Sequence, residues 1–196
     1  MCIRDRYRSA NTIARDLSLY RSGEEYWLKS TPSKELMKAR SGKVALPSFK
    51  VTGPYCVESL LAENEGAYEI ELEIQPAEST KVSFCLQNDK GEQVSMYYDL
   101  LRKQFVMDRS KSGKVDFSYD FPAVTAAPVT AGKTIHLRLF VDRSSIEAFG
   151  EDGEFVMTNL VFPSAPYNKM SFAAEGNGYT CLLYTSDAAD DRISVD

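Results

Sequence analysis

Glu69, Glu71 and Glu73 form a row of carboxylates at alternate positions. Paired carboxylates can serve as nucleophile and general acid/base when they flank a pocket. These three lack that spacing. Tyr68, Ile70, Leu72 and Ile74 interleave with them, so the segment reads as a strand whose apolar side faces a core and whose glutamates form a solvated face. A second set is Asp142, Ser144 and Ser145 with His136, the sole histidine. A hydrolytic Ser–His–Asp arrangement of the hydrolase type presents its serine on a Gly-x-Ser-x-Gly elbow, and no such elbow occurs. Asp142 reads instead as a turn residue accepting backbone N–H bonds, and Arg143 as the partner of Glu147 or of another carboxylate across the strands.

The remaining chemistry-bearing types are sparse. Cys2, Cys56, Cys85 and Cys181 include no CxxC pair, which with one histidine argues against zinc; neither a metal nor a cofactor is expected. Cys56 and Cys85 could pair across a layer, but all four thiols are read as small apolar core residues. Trp27, Tyr97, Tyr98 and Tyr167 are candidate platforms for weak stacking on sugar rings. Aromatic residues make up 11% of the chain, enough to fill a core without that role.

The elements that would hold these residues are strands. Ile135, Leu137, Leu139 and Val141 alternate with His136, Arg138, Phe140 and Asp142, the period of a strand with one buried face. Asp142 to Ser145 breaks the run as a tight turn or bulge, and Ile146 to Phe149 resumes it. Gly150 to Gly153 has the composition of a hairpin turn, with Glu154 to Phe162 as the returning strand. Val82–Leu86, Val94–Leu100, Phe105–Asp108 and Met170–Ala174 read as further strands, and Pro122 to Gly132 as a loop. Upstream, Asn11–Arg21 and Glu25–Lys29 form a hairpin around Ser22-Gly23. Lys34 to Arg40 reads as a short helical turn capped by Ser33, with Leu36, Met37 and Ala39 apolar.

Three stretches carry a family resemblance. FVDRSSIEAFGEDGEFVMTNLVFP, from Phe140 to Pro163, resembles the signature of the C-terminal β-sandwich in glycoside hydrolase family 32, the fructosidases that include levanases, inulinases and invertases. Asp142, Arg143, Ser144, Ser145, Glu147 and Phe149 are its structural signature. RSANTIARDLSL, Arg8 to Leu19, resembles the segment that ends the family's catalytic propeller, with Ala14 where Pro is usual. FVMDRSKSGKVDFSYDFP, Phe105 to Pro122, resembles its mid-sandwich Asp-Arg hairpin. The resemblance implies an all-β, two-sheet antiparallel sandwich of jelly-roll or concanavalin-like type, preceded by the hairpin that ends the propeller.

It also implies a partner and a division of labour. The family's catalytic carboxylates lie in Trp-Met-Asn-Asp-Pro-Asn-Gly, Arg-Asp-Pro and Glu-Cys motifs, none of which occurs here; Arg15-Asp16-Leu17 lacks the Pro, and Asp16 reads as structural. No catalytic residue is therefore assigned. The implied role is an accessory module that shields and stabilises an N-terminal five-bladed propeller, with an independent carbohydrate-binding, lectin-like sandwich as the alternative. An apolar interface patch would separate the first from the second. Fructan is the implied ligand class; location would be extracellular or periplasmic for a levanase-like parent and cytoplasmic for an invertase-like one.

Composition fits such a module. With 43% hydrophobic and 26% charged residues over 196 positions, one sizeable core is expected. A net charge of −5 disfavours nucleic acid and anionic membrane as partners, whereas a neutral polymer is unaffected. No apolar run approaches the length of a membrane span. The expected organisation is residues 7–31 as the propeller-end hairpin, 32–42 as connector and 43–180 as the sandwich. MCIRDR at residues 1–6 and CLLYTSDAADDRISVD at residues 181–196 resemble sequencing-adaptor read-through and are expected to lie outside the fold.

Overall fold

The computed structural model describes residues 11–57, 61, 65–121, 124–130 and 132–187. Strands β1 (Arg15–Ser22) and β2 (Glu25–Pro32) form a two-stranded ribbon, joined by a 3₁₀ helix (Lys34–Ala39) to β3 (Val44–Val51) and β4 (Tyr55–Val57). β5 (Tyr68–Gln75), β6 (Lys81–Gln87), β7 (Gln93–Asp99), β8 (Gln104–Lys111) and β9 (Val124–Pro128) follow. β10 (Ile135–Asp142), β11 (Ser145–Gly150), β12 (Phe155–Leu160), β13 (Lys169–Glu175) and β14 (Tyr179–Asp187) complete the described chain. Two antiparallel sheets of six strands result, ordered β12-β11-β10-β5-β14-β3 and β4-β13-β6-β7-β8-β9.

Alternation decides which side chains meet between the sheets. Tyr68, Ile70 and Leu72 of β5 and Ile135, Leu137, Leu139 and Val141 of β10 are all buried, as the period-two pattern requires. The second sheet answers with Phe84, Leu86, Met96, Tyr98, Phe105, Met107, Met170 and Phe172, also buried. Phe105 stacks on Phe155 of the opposite sheet at 5.2 Å and tilts against Tyr98 at 5.0 Å. Each such side chain contributes about 1.5–3 kcal/mol by leaving water, so this layer dominates stability.

Four readings need correction. The first concerns the closing strand, because β14 lies between β5 and β3 and its Cys181 and Leu183 are buried. Residues 181–187 are thus part of the sandwich and the boundary at Thr180 is too early; residues 1–6 and 188–196 lie outside the described residues. The second concerns Pro122 to Gly132, which holds the edge strand β9, paired to β8 from Gln104↔Pro128 to Asp108↔Val124.

The third concerns the glutamate row. Glu69 is 6% exposed, because Arg40 and Arg138 cover that face of β5. The solvated reading fails there, since the cover arrives from a connector 29 positions upstream. The fourth concerns the cysteines: Cys181 is buried, but Cys56 is exposed and Cys85 half-buried. Ser171 of β13 pairs with Cys56 on one side and Cys85 on the other. Two strand spacings, about 9–10 Å, therefore separate these thiols, beyond the reach of a disulfide. At the connector, Ser33 accepts the Leu36 N–H through its carbonyl oxygen, while its hydroxyl donates to Glu35 at 2.6 Å rather than capping the turn.

Candidate functional site

The seam between ribbon and sandwich gathers most of the unusual side-chain chemistry. Glu147, mid-strand in β11, is 3% exposed. It accepts the Ile13 backbone N–H at 2.8 Å, the Arg15 guanidinium at 2.5 Å and the Thr158 hydroxyl at 3.4 Å. Arg15 also donates to Thr158 at 2.9 Å and lies 5.2 Å from the Phe149 ring centre. Phe149 is held edge-on by Phe140, with centroids 5.8 Å apart. Two segments singled out separately in the sequence therefore form one clamp.

Gly153 lets the ribbon come this close, and Gly150 makes room for Phe155 of β12. A Cβ on Gly153, where φ is +89°, would stand 2.5 Å from the Ser30 carbonyl oxygen of β2. A Cβ on Gly150 would sit inside the Phe155 ring. Between them Glu151 and Asp152 both adopt left-handed backbone, with φ of 50° and 55°, which costs non-glycine residues about 1 kcal/mol or more each.

Below the seam, Arg40 donates to Glu69 at 2.8 and 2.7 Å and to Glu71 at 2.6 Å, while Arg138 donates to Glu69 at 2.8 and 2.5 Å. Burial raises the pKa of Glu71, but the Arg40 hydrogen bond and the charges of Arg40, Lys43 and Arg138 outweigh it and hold the carboxyl below its ordinary range. The cluster ties the connector to the sheet. Its sequence signal was the cross-strand register Arg138↔Glu71 and His136↔Glu73, which sets a basic row against an acidic one.

Two clefts open beside these groups. One, of about 260 Å³, lies between β2, β5 and β10 and is bordered by His136, Arg138, Glu71 and Phe149. The other, of about 340 Å³, has Tyr20, Glu25 and Trp27 of the ribbon on one side and Val129, Glu151 and Glu154 of the sandwich on the other. Glu151 is raised to about 7 by burial, then by repulsion from Glu154 and Asp152, against a hydrogen bond from the His136 backbone.

The predicted site residues separate accordingly. Asp142 accepts the Arg143 N–H at 2.7 Å, a turn bond as expected. Arg143 does not pair with Glu147; its guanidinium meets the Glu65 carbonyl at 3.3 Å and carboxylate at 3.7 Å, because Glu147 is taken by Arg15. The Ser144 carbonyl oxygen accepts the Val161 N–H, and Ser145 pairs with Leu160. His136 stands at the other end of β10, so no triad forms. Among the described residues no cluster of His, Cys, Asp and Glu has metal-binding geometry.

Of the aromatic platforms, Tyr98 and Tyr167 are corrections. Both are buried, Tyr98 against Phe105 and Phe155, and Tyr167 through its hydroxyl on the Ser112 carbonyl at 2.6 Å. Strand parity was the available signal, since Val94, Met96 and Tyr98 share the inward side of β7. Tyr97 points outward, half-buried beneath the Lys81 ammonium at 4.4 Å. Trp27 remains 52% exposed.

Comparison with known proteins places this architecture. Levanase from Bacillus sp. (strain L7) is 34% identical over 84% of the chain, and levanase from Bacillus subtilis (strain 168) 31% over 88%. The chain spans 18% and 26% of those two relatives. Among solved structures, exo-inulinase from Aspergillus awamori superposes with a TM-score of 0.74 at 22% identity, over 91% of this chain and 36% of that one. Sucrose-6-phosphate hydrolase from Lactobacillus gasseri gives 0.64 at 19%, over 88% and 33%. The family model described as glycosyl hydrolases family 32 C terminal matches residues 35–189, and with the two-sheet sandwich and the levanase relatives this shows that the chain belongs to that family.

Proposed function

We propose that this chain is the non-catalytic accessory module of a fructan- or sucrose-cleaving enzyme, packed against an N-terminal catalytic propeller that it stabilises and shields. The observation that carries this is the outer face of the ribbon. The register Leu17↔Ser30, Leu19↔Leu28 and Arg21↔Tyr26 puts four large apolar side chains on one side. Leu17 is 65% exposed, Leu19 72%, Tyr26 70% and Leu28 55%. Single exposed apolar residues are ordinary, whereas a contiguous group on one face marks a contact surface. The opposite face, with Tyr20, Trp27 and Lys29, turns toward the sandwich.

The relatives support this reading, since levanase and exo-inulinase are both much longer than the stretch they share with this chain. The buried carboxylates support it too. Glu147 and Glu69 are consumed by arginines, so neither is placed to attack or protonate a substrate.

The test mixes the chain with the separately expressed catalytic unit of the Bacillus subtilis levanase and measures association by calorimetry and release of fructose from levan, inulin and sucrose. The chain alone releases none, binds the catalytic unit and raises its melting temperature. Leu19→Asp with Leu28→Asp abolishes binding while leaving the sandwich folded. Turnover by the chain alone, or association that ignores the double substitution, overturns the proposal.

A further inference from the structure

The cleft of about 340 Å³ between the inner face of the ribbon and the sandwich is used by neither the clamp nor the outer apolar face. Its composition is unusual for a structural seam. Trp27 and Tyr20 pair across the ribbon and present aromatic surface to it. Glu25, Glu151 and Glu154 bring carboxylates to the same space. Lys29 partly neutralises them, reaching Glu154 at 3.4 Å and lying over Tyr20 at 4.9 Å.

Glu151 is the informative member. The His136 backbone acts on this carboxyl, yet one of its oxygens, Oε1, is buried and has no hydrogen-bond partner among the described residues. A buried acceptor without a donor is destabilising, and native folds rarely keep one without a use. Its backbone and that of Asp152 are left-handed, a conformation that recurs at ligand clamps, where surrounding structure holds the strain. Isolation from water and the nearby Glu154 and Asp152 carboxylates push the same group up to about 7.

We infer that this cleft is a binding subsite for a neutral oligosaccharide, with Trp27 and Tyr20 stacking on the C–H face of a sugar ring and the Glu25 and Glu151 carboxyl groups hydrogen-bonding its hydroxyls. Concave sites that combine aromatic surface with a few convergent polar groups are the usual form of small-ligand sites. Aromatic rings offer large, stiff contact area; an ionised carboxylate accepts from the O–H donors that line a polyol, and a protonated carboxyl also donates to their oxygens. The negative charge selects against acidic sugars. That the sugar is a fructan rests on the proposed function above; that it is neutral and polyhydroxylated does not. Such a subsite would hold one stretch of polymer on the accessory module, away from any catalytic carboxylates.

Trp27 is the sole tryptophan, so its fluorescence reports directly on the cleft. The full chain is titrated with short inulin-type and levan-type oligosaccharides, with maltotriose as an unrelated neutral sugar and calcium chloride as a cation probe. The expected result is a saturable change in Trp27 emission with at least one fructan series, weakened at least tenfold by Glu151→Ala and unaffected by Tyr97→Ala. Circular dichroism checks the fold of each variant, and Glu25→Gln carries the test if Glu151→Ala does not fold. No saturable response to any sugar, an unchanged affinity in both carboxylate variants, or a response to calcium alone overturns the inference. A response to maltotriose only keeps the sugar subsite and sinks its assignment to fructan. Docking of the catalytic unit is scored separately, so loss of sugar binding with docking intact fails this inference alone.

Discussion

The Arg15 guanidinium and the Glu147 carboxylate meet at 2.5 Å across 132 positions of sequence, and Glu147 also accepts the Ile13 N–H. One carboxylate thus fixes both the backbone and a side chain of the segment that enters the ribbon. Glu147 is nearly buried and Arg15 partly so, so removing the acid leaves an unpaired cation and an unpaired N–H at the seam. Glu147→Ala should cost about 2–3 kcal/mol. Urea unfolding measures it, and limited proteolysis should show cleavage within Arg15–Pro32 before the sandwich is cut. A double-mutant cycle with Arg15→Ala that gives no coupling contradicts the clamp.

Glu69 and Glu73 share the outward parity of β5 but differ in surroundings. Glu69 lies under Arg40 and Arg138, whereas Glu73 is half-buried opposite His136. Glu69→Ala should destabilise by about 2–4 kcal/mol because the Arg40 and Arg138 guanidinium groups then share Glu71 as their counter-charge and lose the buried one. Glu73→Ala should change stability by less than about 0.5 kcal/mol. Equal effects in chemical denaturation would restore the solvated reading of the whole row.

Glu151 links stability to pH. Its folded-state value of about 7 stands above the ordinary 4.5, so the folded chain keeps a proton that the unfolded chain releases. The stabilising contribution is complete below about pH 4.5 and is lost as pH rises through 7. The group is part-exposed, which reduces the effect to about 1–2 kcal/mol. Glu151→Gln should match the natural chain near pH 4.5 and exceed it by that amount at pH 8. Melting curves at both pH values that run parallel for the two proteins would remove the buried carboxyl from the account.

Truncation after Thr180 tests the closing strand. It removes the buried Cys181 and Leu183 and strips pairing from β5 and β3 together. The apolar loss alone is about 3–5 kcal/mol, and the opened sheet adds to it, against a typical total of about 5–15. The truncated chain should fail to show a cooperative melt. A cooperative transition close to that of the full chain would place residues 181–187 outside the working fold.

What the sequence made legible follows from how local each signal is. β5, β10, β11 and the ribbon are written in strict alternation or marked by tight turns, and all appear. β9 was hidden because Val124–Pro128 is an edge strand in a Pro/Ala/Thr run and pairs on one side only. β14 was hidden because its pairing shifts register between Cys181 and Leu183, and Thr185 and Ser186 blur the apolar period. The clamp was legible only in halves. The Asp142–Phe149 motif and the Arg15 segment each stood out, but nothing local says that Glu147 prefers Arg15 over Arg143. The cover over Glu69 and the orphaned Glu151 oxygen are likewise properties of distant segments brought together.

The place of β14 between β5 and β3 has a consequence for synthesis on the ribosome. Val44 of β3 must wait for Thr185 before it is paired, a span that covers nearly the whole sandwich. Until then β5 carries one open hydrogen-bonding edge, and β3 has no neighbour in its sheet. Contacts of such separation form slowly, and unpaired edges invite pairing with other chains. The second sheet is less exposed to this delay, since β6, β7 and β8 pair in succession as they emerge. The nascent chain therefore passes through a stage with one sheet largely built and the other held open for its last strand.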